Sequence, residues 1–281
     1  MTPRVAMTIA GSDSGGGAGL QADLRTFAAY GVHGTVAVTA VTAQSTVGVT
    51  AIAALEAEMV LTQVETVADD IEVHATKTGM LARPRTIEAV GTLAASGRLA
   101  NLVVDPVLVS STGHALMEAG GVEAYRAALL PSALITTPNL RETAVLLGID
   151  VAELGTTSAM SDAARALSAL GTPWVVIKGG HFLEATDTDS SAPDVVLGPE
   201  GITLLDAPRV VTGNDHGTGC SMAAATAAGL ARGLAPLDAI SLAKRFVHRG
   251  LLGAASWRLG AGHGPIDHLG WGDAEAPLPL S

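Results

Sequence analysis

A chain of 281 residues can bury one large α/β core or two small ones. Its 27 acidic and 16 basic residues leave a net charge of −11, which repels phosphate backbones and anionic lipid and argues against nucleic-acid and membrane partners. Hydrophobic residues make up 48% but aromatic ones only 3%, so the core must be built from Ala, Val, Leu and Ile, as suits helices packed closely on a sheet.

The one cysteine, Cys220, excludes an intrachain disulfide and a Cys-rich zinc site. The apolar run Val5 to Ala10 is too short for a signal-peptide core, and nowhere do 18 apolar residues run together. A soluble protein of a reducing compartment is expected.

In chain order, "RVAMTIAG" reads as a strand, and "GLQADLRTFAAYG" as a helix with Leu20, Leu24 and Phe27 on one face, stopped at Gly31. "TVAVTAVTAQ" has strand composition. Glu56 to Ile71 returns to helix, with Met59, Val60, Val64, Val67 and Ile71 on one face. "ATKTGM" is a short strand and its exit, "TIEAVGTLAAS" a helix, and "LVVDPV" an apolar strand ending at Asp105. "SALITTPN" leads into the helix "NLRETAVLLG", with Asn139 as cap. "SDAARALSALG" is a helix capped by Ser161, and "PWVVIKGG" a buried strand ending at Lys178. A polar loop at 184–193 precedes an antiparallel hairpin formed by "DVVLG" and residues 202–211. Helices from Gly219 and from Pro236 complete the pattern, and the segment from 260 on reads as a loosely held tail. Alternation of this kind implies a mostly parallel sheet covered on both faces, with an antiparallel edge.

Ligands of such sheets sit beyond the carboxyl ends of the strands. Here those ends carry "GSDSGGGAG", Gln44, "TGM", Asp105, Asn139 with Glu142, "KGGH" and "GTGC". "GSDSGGGAG" is neither a clean dinucleotide fingerprint nor a Walker loop, and it reads either as a flexible turn or as backbone approaching a small ligand. Asp23, one turn into the next helix, is either a solvated acid or directed at that loop. "HGTGCSMAAATAAGLA" opens a helix, whose first amides and partial positive charge suit an anion.

Asp105 ends an apolar strand, where a carboxylate needs a partner or a metal. Glu142 shares the first helical turn with Asn139, as a capping-box member or as a second oxygen ligand for Mg²⁺. Lys178 is a point charge suited to phosphate oxygens. Together they point to phosphoryl transfer. The histidines, among them His74, His114, His181, His216, His248, His263 and His268, lack metal-ligand spacing, although His181 and His216 flank the phosphate loops.

"AGSDSGGGAGLQADLRTFAAYGVHGTVAVTAVTAQST", "ATKTGML", "VVDPV", "TPNLRETAVLLG", "VIKGGH" and "NDHGTGCSM", in this order between residues 5 and 255, resemble the hydroxymethylpyrimidine/phosphomethylpyrimidine kinases of thiamine biosynthesis. The resemblance implies a ribokinase-like three-layer α/β/α sandwich over residues 1–260, followed by a tail at 261–281. It implies a cytoplasmic homodimer that uses ATP and Mg²⁺ on the pyrimidine alcohol and then on its monophosphate. It also assigns roles. Gln44 would read the aminopyrimidine, with Gly11, Asp23, Met80 and Val107 completing the pocket. Lys178, Asn139, Gly217 and Thr218 would meet ATP, and Asp105 and Glu142 would organise Mg²⁺. Gly217 and Gly219 would form the anion hole, and Cys220 falls where related enzymes place an aspartate base. A donor–acceptor amide such as that of Gln44 suits an aminopyrimidine edge, and Met80 suits a flat ring.

One departure is Asp215, where the family pattern has threonine; the extra acid would either repel phosphate or help hold Mg²⁺. Pyridoxal kinases share the fold and are the nearest rival. Hydroxyethylthiazole kinases share "GTGC" but not the N-terminal motif. A silent pyrimidine sensor and a nicotinamide dehydrogenase are more distant readings. For Cys220 a helix start is expected to lower the thiol pKa and favour a base, with buried filler as the alternative.

Overall fold

The computed structural model describes residues 2–108, 117–180 and 191–272. His114, His181, residues 184–190 of the polar loop and residues 273–281 lie outside them. The chain runs β1 (Val5–Asp13), α1 (Gly19–Ala29), β2 (His33–Ser45), β3 (Gly48–Ala54), α2 (Ala57–Ala68) and β4 (Ala75–Thr78). It continues through α3 (Pro84–Ala95), β5 (Val103–Val104), α4 (Gly121–Ala124), β6 (Ile135–Thr136), α5 (Leu140–Leu147) and α6 (Thr157–Ser168). Then follow β7 (Trp174–Ile177), β8 (Asp194–Gly198), β9 (Gly201–Leu205), α7 (Thr218–Ala231) and α8 (Pro236–Ala254).

The strands form one sheet in the order β3-β2-β1-β4-β5-β6-β7-β8-β9. The six strands from β2 to β7 pair in parallel, while β3 and the β8–β9 hairpin are antiparallel. Both edges are therefore antiparallel, where one was expected. The strand β3 escaped notice because "GVTAIAA" has small side chains and a largely exposed surface, which give no two-residue alternation.

Alternate strand residues feed two cores, as the pleat requires. Met7, Val104 and Val175 face one layer with Val60, Ile87, Leu140, Leu146 and Leu167 from α2, α3, α5 and α6. Their chain neighbours Ala6, Val103 and Val176 face the other, with Phe27, Met222, Ala224 and Ile240 from α1, α7 and α8. This is the expected three-layer α/β/α sandwich. No helix among the described residues is long and apolar enough to cross a membrane.

Several local expectations change. Met59 is 54% exposed, and α2 ends before Ile71, so the buried stripe of that helix reduces to Ala57, Val60 and Val64. Leu24 likewise turns outward while Leu20 and Phe27 stay buried. The hairpin's second strand stops at Leu205 rather than running on to 211. The cap of α6 is Thr156, whose hydroxyl accepts the Ala159 amide at 3.1 Å; Ser161 lies inside the helix and donates back to the Thr157 carbonyl.

The described part of the tail is not loose. Ile266, Asp267 and His268 are buried, and Asp267 accepts the amides of Leu269, Gly270 and Gly272. The Gly264 carbonyl accepts the His216 amide, and the Gly264 amide donates to Gly213, so this segment braces the loop that leads into α7.

Replacing Thr156 by Ala should cost about 1 kcal/mol of unfolding free energy, the usual worth of an N-cap. Replacing Ser161 should stay within about 0.5 kcal/mol, which denaturant unfolding of both variants would check.

Candidate active site

The chain steps from β1 to β2 and β3 on one side, then crosses back through α2 to β4 on the other side of β1, so the strand order reverses between β1 and β4. That reversal opens the crevice where such sheets bind ligands. The loop after β1 is closed by Asp13, whose carboxylate accepts the amides of Gly15, Gly17 and Ala18 at 2.8, 3.0 and 2.8 Å. Gly11 faces Met80, and a Cβ there would lie 2.5 Å from the Met80 methyl carbon. Met80 packs with Ala40, Ala82 and Val107 into a small apolar cluster separate from both cores. Gln44 sits at an irregularity in the β2–β3 ladder, half-buried, with one end of its amide 3.2 Å from Thr42 Oγ1 and the other 3.2 Å from His216 Nε2. The apolar wall and the amide proposed for the pyrimidine thus both lie beyond the strand ends.

The second loop leads into α7. Gly217 is its N-cap at φ +83°, and a Cβ there would overlap the Gly17 carbonyl oxygen. The two loops therefore touch backbone to backbone, which only glycine allows. The α7 hydrogen-bond ladder begins with the Ser221 amide on the Gly217 carbonyl, which leaves the Gly219 and Cys220 amides ahead of it. A Cβ on Gly219 would stand 3.1 Å from Lys178 Nζ and 3.9 Å from Asp105 Oδ2, so the helix start, the lysine and the carboxylate share one place.

Lys178 follows β7 with its side chain 14% exposed, and its Nζ lies 2.9 Å from Asp105 Oδ1. Thr137 Oγ1 donates to the same oxygen at 3.2 Å. Burial opposes the charge on Lys178, but the Asp105 and Glu142 carboxylates outweigh it and hold the ammonium's pKa above its ordinary value. Glu142 does form the capping box with Asn139: its Oε2 accepts the Asn139 amide at 2.8 Å, and its own amide donates to Asn139 Oδ1 at 2.9 Å. Burial pushes the Glu142 carboxyl up, against the pull of Lys178 and with the push of Asp105. No group of three or more candidate metal ligands occurs among the described residues. Asp105 and Glu142, two buried carboxylates, nonetheless have the oxygen donors that suit Mg²⁺, an ion that keeps waters and takes its remaining ligands from phosphate.

Two expectations need correction. Asp23 is neither solvated nor open to the pocket. Its side chain is 0% exposed and pairs with an equally buried Lys77 at 2.8 Å, while Thr8 Oγ1 donates to it at 2.6 Å. Burial raises its carboxyl, and Lys77 opposes that rise. The lone lysine in the short strand "ATKT", between apolar-rich neighbours, was the available signal for this pair, since an interior ammonium demands a carboxylate. Nor is the Cys220 thiol lowered. Burial pushes it up to about 11, with Lys77 pulling down, Asp23 and Asp105 pushing up, and a hydrogen bond from the Gly19 amide pulling down. Asp215, the departure from the family pattern, lies 2.7 Å from His263 Nδ1 of the bracing segment. Asp13, Lys77 and Thr137 were missed by the sequence reading. Asp13 was within reach, as the one acid inside a glycine-rich strand exit.

The phosphomethylpyrimidine kinase family model matches residues 13–267. The hydroxymethylpyrimidine/phosphomethylpyrimidine kinase of Rhizobium meliloti is 44% identical over 266 residues, covering 94% of this chain and 97% of its own. An ADP complex of Bacillus subtilis pyridoxal kinase superposes with a TM-score of 0.85 at 35% identity, covering 96% of this chain and 99% of its own. The phosphomethylpyrimidine kinase of Clostridium difficile gives 0.74 at 34% identity, covering 86% and 97%. With a family model spanning nearly the whole chain, and with a helix start beside a lysine–carboxylate pair, this kinase belongs to the phosphomethylpyrimidine kinase family.

Proposed function

We propose that this chain transfers the γ-phosphoryl group of ATP to the hydroxymethyl oxygen of 4-amino-5-hydroxymethyl-2-methylpyrimidine, and then phosphorylates the monophosphate to the diphosphate for thiamine biosynthesis. The observation that carries this reading is the meeting of Lys178, Asp105 and the α7 start at one place in a member of this family. The ADP-bound pyridoxal kinase supports a nucleotide co-substrate. The family resemblance also supports a cytoplasmic homodimer.

In this reading the pyrimidine lies against Met80 and Val107 beside Gly11, with its amino edge on Gln44. Asp23 acts from below, holding Lys77 in place. Lys178, Gly217 and Thr218 meet the ATP phosphates, and Asn139 fixes the adjoining loop through its capping box. The Gly219 and Cys220 amides offer hydrogen bonds to the oxygens of the transferring group, where charge develops. Asp105 and Glu142 would hold Mg²⁺, which supplies charge neutralisation on phosphate oxygens when bound. The substrate oxygen forms its bond to phosphorus as the bond to the ADP oxygen breaks, and the hydroxyl proton passes to the Cys220 thiolate. Because the transition state is loose, that proton leaves late, and the minor thiolate form of Cys220, which grows with pH, receives it.

A second reading, pyridoxal kinase, has one observation in its favour: the close superposition on the Bacillus subtilis enzyme. An ATP-dependent assay offering the pyrimidine alcohol, its monophosphate, pyridoxal and the thiazole alcohol in parallel should show the first two turned over fastest. Faster turnover of pyridoxal would favour the second reading, and no turnover of any would reject both.

A thiol raised to about 11 ties catalysis to pH. The thiolate is the proton acceptor, so kcat should climb with pH from 7 to 9.5. Replacing Cys220 by Ala should lower kcat about 100-fold, as loss of a general base does, and flatten that climb while ATP still binds. A Cys220→Ala variant with wild-type turnover would reduce the residue to packing.

A further inference from the structure

Three segments far apart in the chain meet at one imidazole. His216 Nε2 lies 3.0 Å from Asp13 Oδ2 and 3.2 Å from the Gln44 amide. The Asp13 carboxylate also gathers the amides of Gly15, Gly17 and Ala18. Burial acts to raise the Asp13 carboxyl, but the His216 bond and these amides prevail and hold it below its ordinary value. A carboxylate can only accept, so His216 Nε2 must carry a hydrogen.

That hydrogen decides which way Gln44 points. A second donor cannot stand 3.2 Å from an N–H, so the amide must turn its oxygen to His216. The nitrogen and oxygen ends of a glutamine amide are told apart by their partners. With the oxygen on His216, the NH₂ group falls at Thr42 Oγ1, 3.2 Å away, and that hydroxyl accepts because its own hydrogen is donated to the Ser12 carbonyl at 2.9 Å. The Nε2 hydrogen is then shared between Asp13 Oδ2 and the Gln44 oxygen, and no two donors face each other. One lone pair of the oxygen and one hydrogen of the NH₂ remain, and an aminopyrimidine presents the complementary pair, an amino donor beside a ring-nitrogen acceptor. The reversed amide would present the same two groups in the wrong order.

We propose that Asp13 and His216 are positioning residues that lock the Gln44 amide in one orientation and so set the preference for an aminopyrimidine over a pyridine alcohol. This rests on the pyrimidine kinase reading. It also explains the packing of His216 between the glycine loop and β2, where a Cβ on Gly17 would meet its ring carbon at 2.5 Å. The residue that orients the amide is thereby part of the contact between the two ligand loops.

Steady-state kinetics of the wild type, His216→Ala and His216→Gln with the pyrimidine alcohol, pyridoxal and ATP test this, with melting temperatures as a control for folding. His216→Ala should raise KM for the pyrimidine alcohol about tenfold, the loss expected of a misaligned hydrogen-bonded pair, with KM for ATP within about twofold. The ratio of pyrimidine to pyridoxal kcat/KM should fall by a similar factor. His216→Gln, which can still donate to Asp13, should restore most of that ratio. An unchanged ratio in His216→Ala, or equal rises in both KM values, would overturn the proposal. Should His216→Ala fail to fold, neutron crystallography of the wild type reads the same point: deuterium on His216 Nε2 directed at Asp13, with the undeuterated Gln44 oxygen on the His216 side, is expected, and the deuterated amide nitrogen there overturns it. Absence of wild-type turnover of every alcohol would instead strike the functional reading, while the neutron result still decides the geometry.

Discussion

The site depends on the ion pair between Lys178 and Asp105, 2.9 Å apart at the end of a sheet whose neighbouring strands are apolar and buried. Neither charge could stay there alone, since breaking such a pair costs about 3–5 kcal/mol. Thr137 completes the acceptor side, and the start of α7 stands within contact of both. The same constraint operates one strand over, where Lys77 and Asp23 are wholly buried together. Two ammonium groups are thus kept charged under the site by two carboxylates, in surroundings where an unpaired charge would lose its proton or gain one.

A second constraint is closeness. The two ligand loops touch through Gly17 and Gly217, and α7 lies deep in its layer because Ala223, Ala224, Ala225, Ala227 and Ala228 have nothing larger than a methyl group to accommodate. Small side chains let the helix start reach the strand ends, where its free amides stand beside Lys178 and Asp105. The segment from Gly264 to His268 then holds the loop from behind, with His268 Nε2 2.8 Å from Ser221 Oγ in the first turn of α7. Burial keeps that imidazole's pKa down at about 4, so the brace is a neutral one across the working range of pH.

Much of this was legible beforehand. The order of strands and helices, Asn139 as a cap, the polar groups at strand ends and the glycines of both loops all follow from local chemistry, in which turn, cap and periodicity signals span only a few residues. The roles of individual side chains were less so. Met59 has the spacing of a buried residue and is exposed, because periodicity gives a face but not how far its neighbours extend over it. Asp23 looked like a surface acid because its partner Lys77 lies 54 residues away.

Local sequence settles what each segment is: a strand that ends in glycine, a helix that opens on free amides, a lysine at the end of an apolar run. Those properties belong to a few consecutive residues and their backbone. Which charge neutralises which, whether Cys220 is a ready base or a raised thiol, and which way Gln44 faces belong to the folded chain. Each is fixed by burial and by partners brought from distant segments, and desolvation, which is strongest where those segments close together, has no counterpart in the linear order of residues.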